Sequence, residues 1–200
     1  NIMFADNQTE KVKIHKDIDS FSGKKPVVTI GTFDGVHLGH QKVIGRLKEI
    51  AQQQGGESVI FTFHPHPRLV TAPDKTNLRL LTTLDEKKEL FSQAGIDHLI
   101  IYPFTKSFAE LKYSEFVENI LIDKIKTHCL VVGYDHRFGK NREGSFEYLQ
   151  MISSRHNLMI EKLDPLLMED YHISSTRIRN VLEEGDISKA NALLGYRYTL

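Results

Sequence analysis

The chain has 200 residues, 40% of them hydrophobic and 26% charged, which is typical of one soluble globular domain with a substantial core. Its 26 acidic and 26 basic residues balance, so no global charge would attract nucleic acid or an anionic membrane. The single cysteine, Cys129, excludes an intrachain disulfide and a cysteine-rich metal site, and its apolar surroundings favour a reduced core residue.

The sequence carries no membrane or secretion signal. No apolar stretch approaches the roughly 18 residues that span a bilayer, and no signal-peptide pattern is present. We therefore expect a cytoplasmic protein that binds neither a membrane nor nucleic acid. Because the sequence begins with Asn1 rather than Met, we also expect a processed or truncated start.

Short runs of β-branched and apolar residues predict five strands. They cover residues 27–30, 58–62, 99–102, 129–132 and, more weakly, 158–162. Several are apolar on both faces, as strands of a parallel sheet buried between helices are.

Helical apolar stripes and caps lie between and after these strands. They predict helices over residues 42–51, 83–95, 116–125, 146–157, 175–184 and 186–194. This alternation predicts an α/β fold with a doubly wound, Rossmann-like parallel sheet and right-handed crossovers. Ligands of such folds bind beyond the carboxyl ends of the strands.

The first motif, GTFDGVHLGH, covers residues 31–40 at a predicted strand-to-helix turn. Gly31 and Gly35 allow a tight turn with close backbone approach, and the helix N-terminus favours a phosphate. His37 and His40 can project toward one anion and donate hydrogen bonds to its oxygens. Two ordinary surface histidines or a metal pair are the alternatives, although no third zinc ligand stands out.

The second motif, ISSTRIR, covers residues 173–179 and opens a helix that Ser174 or Ser175 is expected to cap. Taken alone, it fits a capped helix with solvated arginines. Beside the first motif, a second helix N-terminus with hydroxyls and an arginine suits a departing pyrophosphate. Helical spacing makes Arg179 a better candidate than Arg177 for an inward, anchored cation.

Two further motifs follow predicted strands. TFHPHP at 62–67 has two prolines that stiffen an extended path, and Phe63 with the imidazoles could flank a planar ring. GYDHRFGKNREG at 133–144 mixes aromatic, acidic and basic residues between glycines, which suits a ligand with a ring and phosphates. A rigid loop and a charged solvent loop are the alternatives.

In this order, the four motifs resemble those of the HxGH nucleotidyltransferase superfamily, with its second half-site of the ISSTxIR type. Within it, the chain from about Pro26 is similar to the FMN adenylyltransferase module of bacterial bifunctional FAD synthetases. HxGH alone would also admit cytidylyltransferases and other adenylyltransferases, whereas TFHPHP and GYDHRFGK are specific. One departure is His136, which stands where the family commonly has an aromatic residue.

The resemblance implies transfer of AMP from ATP to FMN, giving FAD and pyrophosphate, with Mg²⁺ held through the substrate phosphates and no metal ligand assigned in the protein. It implies that the catalytic phosphate-holding residues are His37, His40, Ser175, Thr176 and Arg179. The implied ATP-binding residues are Gly31, Thr32, Phe33, Gly39 and Arg177. The implied flavin-binding residues are Phe63, Pro65, His66, Pro67, Asp135 and Phe138.

The resemblance also implies a division of the chain. Residues 1–25 would form an N-terminal extension, with an added strand as one reading, and residues 26–186 the FMN adenylyltransferase domain. Residues 187–200 would form a terminal helix and the lead-in to a riboflavin kinase module, the natural C-terminal partner. The glycine-rich loop and PTAN-type motif of that kinase are absent from these 200 residues, so we expect no kinase activity from this chain alone.

Three rival functions share parts of this pattern. A related HxGH nucleotidyltransferase would use a different phosphorylated acceptor. A flavin- or nucleotide-binding regulator would bind the ligands and release no pyrophosphate. A histidine-dependent metallohydrolase would need zinc and consume water.

Overall fold

The computed structural model describes residues 12–72, 78–133, 146–163, 167–168 and 171–199. The strands of its main sheet are β1 Lys13–His15, β2 Val27–Ile30, β3 Ser58–His64, β4 His98–Pro103, β5 Cys129–Val132 and β6 Met159–Lys162. All neighbouring strands pair in parallel, in the order β1–β4–β3–β2–β5–β6. The five predicted strands and the α/β fold are therefore confirmed.

Helices lie between the strands in the chain, and two more come after the last strand. They are α1 Leu38–Gln54, α2 Pro67–Thr71, α3 Leu84–Gln93, α4 Lys106–Ala109, α5 Tyr113–Glu115, α6 Phe146–His156, α7 Ser175–Glu183 and α8 Ile187–Leu194. A short antiparallel pair, β7 Leu167–Met168 and β8 Tyr171–His172, precedes α7. Thr83 and Glu86 form the predicted capping box of α3.

One predicted helix has a different geometry. Residues Phe116–Lys124 form a π-helix, in which the amide of Ile125 donates to the carbonyl of Ile120 at 2.9 Å, five residues back. Its buried side chains belong to one core cluster and are Phe116, Val117, Ile120, Leu121 and Ile125.

The order of the strands determines where a ligand can bind. From β2 the chain proceeds through β3 to β4 on one side, and β5 and β6 lie on the other side. The crevice beyond the carboxyl ends of β2 and β5 is thus the topological switch point of the sheet. The first and fourth motifs follow these two strands.

The N-terminal segment takes part in the fold. Strand β1 pairs with the edge of β4, with Lys13 opposite His98, and Ile18 and Phe21 are buried in the core. The described part of the N-terminal extension, residues 12–25, therefore contributes an edge strand, whereas the proposed division at residue 25 stays a prediction.

The core agrees with the cysteine interpretation. Cys129 is buried, and burial raises the pKa of its thiol to about 11, which makes it a core residue rather than a nucleophile.

None of the helices in the described part of the chain is long and apolar enough to cross a membrane.

Two glycines of α1 give a matched test of the packing. A methyl group at Gly45 would meet no atom within 4 Å, whereas one at Gly39 would lie 3.2 Å from the His37 ring. Because alanine is favoured over glycine in a helix by about 0.5–1 kcal/mol, we expect Gly45→Ala to raise the free energy of unfolding by that amount. We expect no gain from Gly39→Ala. Urea unfolding of both variants measures this, and equal gains would contradict the contact between Gly39 and His37.

Candidate active site

The turn between β2 and α1 has an unusual backbone. Phe33, Gly35 and Val36 have φ values of 49°, 82° and 34°. Residues other than glycine seldom adopt positive φ, and such strain persists only where surrounding contacts hold it. The turn is held by contacts with the rest of the molecule, and it carries the two histidines of the first motif.

His37 and His40 are stacked at the N-terminus of α1. Their ring centroids are 3.7 Å apart with an interplanar angle of 19°. His37 is itself the N-cap, and its Nδ1 accepts a hydrogen bond from the backbone N–H of His40 at 3.4 Å. Gly39 leaves the room that the His37 ring needs.

Both imidazoles are neutral at pH 7. Burial lowers the pKa of His37 to about 4, although Asp34 favours its protonation. Burial and the neighbouring His37 also hold the pKa of His40 well below 6.5. Because Nδ1 of neutral His37 accepts a hydrogen bond, its proton lies on Nε2. That nitrogen can donate to a phosphate oxygen.

Asp34 connects the turn to the second motif. Its carboxylate is 1% exposed. One oxygen accepts hydrogen bonds from the amides of Leu81 at 2.9 Å and Thr82 at 3.3 Å, and the other forms an ion pair with Arg179. The sequence analysis assigned no role to Asp34 and missed this one. A signal was available, because an arginine expected to be inward and anchored needs an acidic partner.

The N-terminus of α7 packs against the same turn. Ser174 is the N-cap, and its Oγ accepts a hydrogen bond from the amide of Arg177 at 3.3 Å. The Oγ of Ser175 donates to the carbonyl of Asp34 at 2.8 Å. Nε of Arg179 donates to the carbonyl of Arg79 at 2.7 Å, and the Arg179 side chain is 12% exposed. The expectation that Arg179 is an inward, anchored cation is confirmed.

The two helix N-termini are close together. A methyl group at Gly39 would lie 3.6 Å from the carbonyl oxygen of Ile173. Thr176 is exposed in the first turn of α7. The predicted phosphate-holding residues of the two motifs therefore lie at one edge of the sheet.

The third motif lies beside this pair of helix ends. His66 caps α2, and its Nδ1 accepts a hydrogen bond from the amide of Arg68 at 3.2 Å. Burial lowers the pKa of His66 to about 4. The Oγ1 of Thr62, the first residue of the motif, donates to the carbonyl of Thr32 in the turn at 3.4 Å. The Phe63 ring packs against Phe61, Phe104 and Phe108.

The structure also describes Pro65, Pro67 and Gly31 of the predicted site. Pro67 is the first residue of α2, and Pro65 lies between β3 and the His66 cap. The backbone of Gly31 continues the sheet, since its amide donates to the carbonyl of Phe61 at 3.1 Å. Asp135 and Phe138 of the fourth motif lie outside the described residues.

Lys87 is a second residue that the sequence interpretation missed. It is 7% exposed, burial lowers the pKa of its amine, and Nζ donates to the carbonyl of Thr32 at 3.0 Å. Its spacing could have indicated that it is buried, because Lys87 and the buried Phe91 are four residues apart on one face of α3. The buried lysine places a positive charge behind the turn.

Within the described residues, no group of three or more His, Cys, Asp or Glu side chains could hold a metal ion. The Asp34 carboxylate is occupied by Arg179 and two backbone amides.

Neutral His37 should make the stability of the unliganded protein depend on pH. Its pKa is about 4 in the fold and 6.5 as an ordinary value, so between these values the unfolded chain binds more protons. The free energy of unfolding therefore falls as pH drops through this window, by up to about 1.4 kcal/mol per pH unit.

Asparagine keeps an N-cap acceptor but does not titrate. We therefore expect His37→Asn to reduce this slope by up to about 1.4 kcal/mol per pH unit, the contribution of one bound proton. Urea unfolding between about pH 4.5 and 7 measures the slope. An unchanged slope would contradict a neutral, buried His37.

Comparison with known proteins identifies the family. The sequence profile described as FAD synthetase matches residues 20–177. The chain belongs to the FAD synthetase family. This confirms the resemblance inferred from the four motifs.

Curated relatives of this FAD synthetase family member are longer proteins. A bifunctional riboflavin kinase/FMN adenylyltransferase of Listeria monocytogenes is 38% identical over 182 residues, which are 90% of this chain and 57% of the relative. Proteins with the same name from Bacillus subtilis and Escherichia coli K12 are 39% and 33% identical, over 87% of this chain and 54% and 55% of their own lengths. The chain thus spans about half the length of these relatives.

Solved structures share the fold of this FAD synthetase family member. A Streptococcus pneumoniae structure described as a macrolide-efflux protein has a TM-score of 0.81 at 25% identity and covers 94% of this chain and 72% of its own. A pantothenate synthetase of Thermus thermophilus has a TM-score of 0.52 at 14% identity, over 92% of this chain and 81% of its own. The second likeness concerns the fold alone.

Proposed function

We propose that this chain is an FMN adenylyltransferase that transfers AMP from ATP to FMN, giving FAD and pyrophosphate. An oxygen of the FMN phosphate forms a bond to the α-phosphorus of ATP, and the bond from that phosphorus to the bridging oxygen of the β-phosphate breaks. The observation that carries the proposal is the stacked His37–His40 pair beside the N-terminus of α7, joined by Asp34.

The two histidines serve as fixed donors to the phosphates. Their lowered pKa values support neutral imidazoles that donate N–H bonds without exchanging protons. Such donors stabilise charge that develops on the transferring phosphoryl group, and a water-excluded site strengthens the effect. A phosphorylated acceptor already carries negative charge, so neither a general base nor a covalent enzyme intermediate is required.

The first turn of α7 faces the departing pyrophosphate in this proposal. Ser175, Thr176 and Arg179 hold it, with Arg177 nearby on the ATP side. Two nitrogens of the Arg179 guanidinium are engaged with Asp34 and with the Arg79 carbonyl. A guanidinium has five N–H groups, so those that remain can reach a phosphate while Asp34 fixes the group.

The turn after β2 forms the nucleotide-binding wall, with Gly31, Thr32, Phe33 and Gly39 along the ATP. The end of β3 and the start of α2 bind the flavin, with Phe63, Pro65, His66 and Pro67 as its contacts. Asp135 and Phe138 complete the flavin site in the proposal on the resemblance alone. The aromatic cluster around Phe63 supports a planar ligand at this end of β3.

Mg²⁺ fits this site through the substrate rather than through the protein. Because both oxygens of Asp34 are already engaged, the ion would bind mainly to the ATP phosphates, as Mg²⁺ often does. There it would neutralise phosphate charge.

By likeness to the bifunctional relatives, the proposal also includes a riboflavin kinase module after residue 200 as the partner, and a cytoplasmic location.

One assay tests the proposal. The purified chain is incubated with ATP and Mg²⁺ together with either FMN or riboflavin, and FAD and pyrophosphate are followed. We expect both products in equal amounts from FMN and no FAD from riboflavin.

The rival functions give different results in the same assay. FMN binding without pyrophosphate release would indicate a regulator. Turnover only with a cytidine or pantetheine acceptor would indicate another HxGH nucleotidyltransferase. Hydrolysis that chelators abolish and zinc restores would indicate a metallohydrolase.

A further inference from the structure

The strained turn before α1 needs support from its surroundings. Gly35 is buried, and its amide donates to Oγ1 of Thr82 at 3.0 Å. The carbonyls of Gly35 and Val36 belong to the same turn, and His37 follows them immediately. The hydrogen-bond partners of these carbonyls therefore contribute to the position of His37.

Two side chains bind these carbonyls. The hydroxyl of Tyr196 donates to the carbonyl of Gly35 at 2.6 Å. Nε2 of Gln41 donates both to the carbonyl of Val36 at 3.0 Å and to the carbonyl of Leu194 at 2.9 Å. The turn is thus connected to a segment more than 150 residues later in the chain.

The backbone after α8 approaches α1 very closely. Gly195 ends α8 with φ of 81°, and a methyl group there would lie 2.5 Å from Cδ2 of Leu38. This approach allows Tyr196 to reach the turn, where its ring lines a small apolar cavity of about 70 Å³ with Val36 and Ile44. Burial raises the pKa of the Tyr196 phenol, so the hydroxyl is a neutral donor.

We propose that Tyr196 and Gln41 are positioning residues for adenylyl transfer, acting through the carbonyls of Gly35 and Val36 on the stacked histidines. The segment just after α8 is then part of the catalytic unit and not only a connection to a following module. This inference rests on the proposed FMN adenylyltransferase function. Its physical basis is that small misplacements of groups aligned for in-line transfer lower kcat strongly.

The test compares two variants of the whole chain in steady-state FAD synthesis. Tyr196→Phe keeps the ring and removes only the hydroxyl, and Gln41→Met keeps the length of the side chain and removes both donated bonds. A hydrogen bond contributes about 0.5–1.5 kcal/mol net, so we expect kcat to fall by about 3- to 10-fold in Tyr196→Phe and by more in Gln41→Met. KM for ATP and FMN should stay within about 2-fold.

Two controls separate positioning from general loss of stability. Tyr198→Phe makes the same chemical change two residues later and should leave kcat unchanged. Ile120→Val lowers the stability of the core at the π-helix by about 0.5–1.5 kcal/mol, remote from the turn, and should also leave kcat unchanged. If both test variants keep wild-type kcat, or if Ile120→Val loses as much kcat, the proposal is overturned.

A readout without turnover separates this inference from the proposed function. Imidazole ¹⁵N resonances of His37 and His40 should shift in Tyr196→Phe and not in Tyr198→Phe. If the wild-type chain makes no FAD but these resonances shift, the proposed function fails and the coupling stands. If FAD is made and neither the resonances nor kcat change in Tyr196→Phe, the coupling fails and the function stands.

Discussion

Replacing His37 or His40 by alanine is expected to lower the turnover of FAD synthesis by roughly 10²- to 10³-fold, the loss measured when a single transition-state donor is removed. Both imidazoles are neutral, so their contribution is directed hydrogen bonding rather than proton transfer. KM for ATP should change less than kcat, because the donors bind charge that develops during transfer.

His37 also caps α1, so alanine at this position removes about 1 kcal/mol of helix stability as well. His37→Asn separates the two effects, because asparagine accepts the amide hydrogen bond of an N-cap. We expect its stability near neutral pH to resemble that of the wild type and its turnover to resemble that of His37→Ala. His40→Phe is the corresponding variant for the second ring, since it keeps the stack and loses the donor.

His156→Ala is the matched control, since His156 is exposed at the end of α6. Its turnover should equal that of the wild type. Near-normal FAD synthesis by both His37→Ala and His40→Ala would remove the histidines from the mechanism.

Replacing Asp34 by alanine is expected to lower the free energy of unfolding by about 3–5 kcal/mol, the usual cost of removing one partner of a buried ion pair. The variant leaves the inward guanidinium of Arg179 without its carboxylate, and it also removes the acceptor of the Leu81 and Thr82 amides. Since the same carboxylate fixes Arg179 beside the histidine turn, FAD synthesis should fall too.

A double-mutant cycle isolates the ion pair. Asp34→Asn keeps the shape and an acceptor oxygen, and Arg179→Met removes the cation while keeping an apolar stem. Urea unfolding of the two single variants and the double variant should give a coupling energy of about 1–3 kcal/mol. Additive losses would mean that the two side chains do not stabilise each other.

The exposed pair of Asp85 and Lys88 provides the control. Their charged atoms are 2.6 Å apart, and the Asp85 side chain is 90% exposed. Solvent screens such pairs, and the negative charge of Asp85 at the start of α3 adds little, so Asp85→Asn should lower the free energy of unfolding by less than about 1 kcal/mol. The contrast tests whether burial, rather than the presence of an ion pair, makes Asp34 important.

Much of the fold could be predicted because its signals are local. Each parallel strand is a short apolar run, and α3 begins at a capping box that four consecutive residues specify. The helix over 116–124 shows the limit of such patterns. An apolar stripe predicts a helix there. Whether each backbone amide bonds to the carbonyl four residues earlier, as in an α-helix, or five residues earlier, as in a π-helix, depends on how that face packs against the sheet.

The candidate site could be predicted in part for the same reason. The histidines of the first motif and the hydroxyls of the second each lie at a helix N-terminus that their own neighbours specify. Lys87 was missed, because its contact with the Thr32 carbonyl joins residues 55 positions apart.

The sequence by itself determined the α/β fold, the order of the motifs and the family. Only the tertiary structure decided how the motifs are joined: Asp34 to Arg179 across 145 positions, and Gly35 to Tyr196 across 161. The physical reason is that strand and helix signals come from neighbouring residues, whereas a buried ion pair or a long-range hydrogen bond exists only once separate elements have packed. The same packing makes the two histidines neutral, since their low pKa values arise mainly from burial.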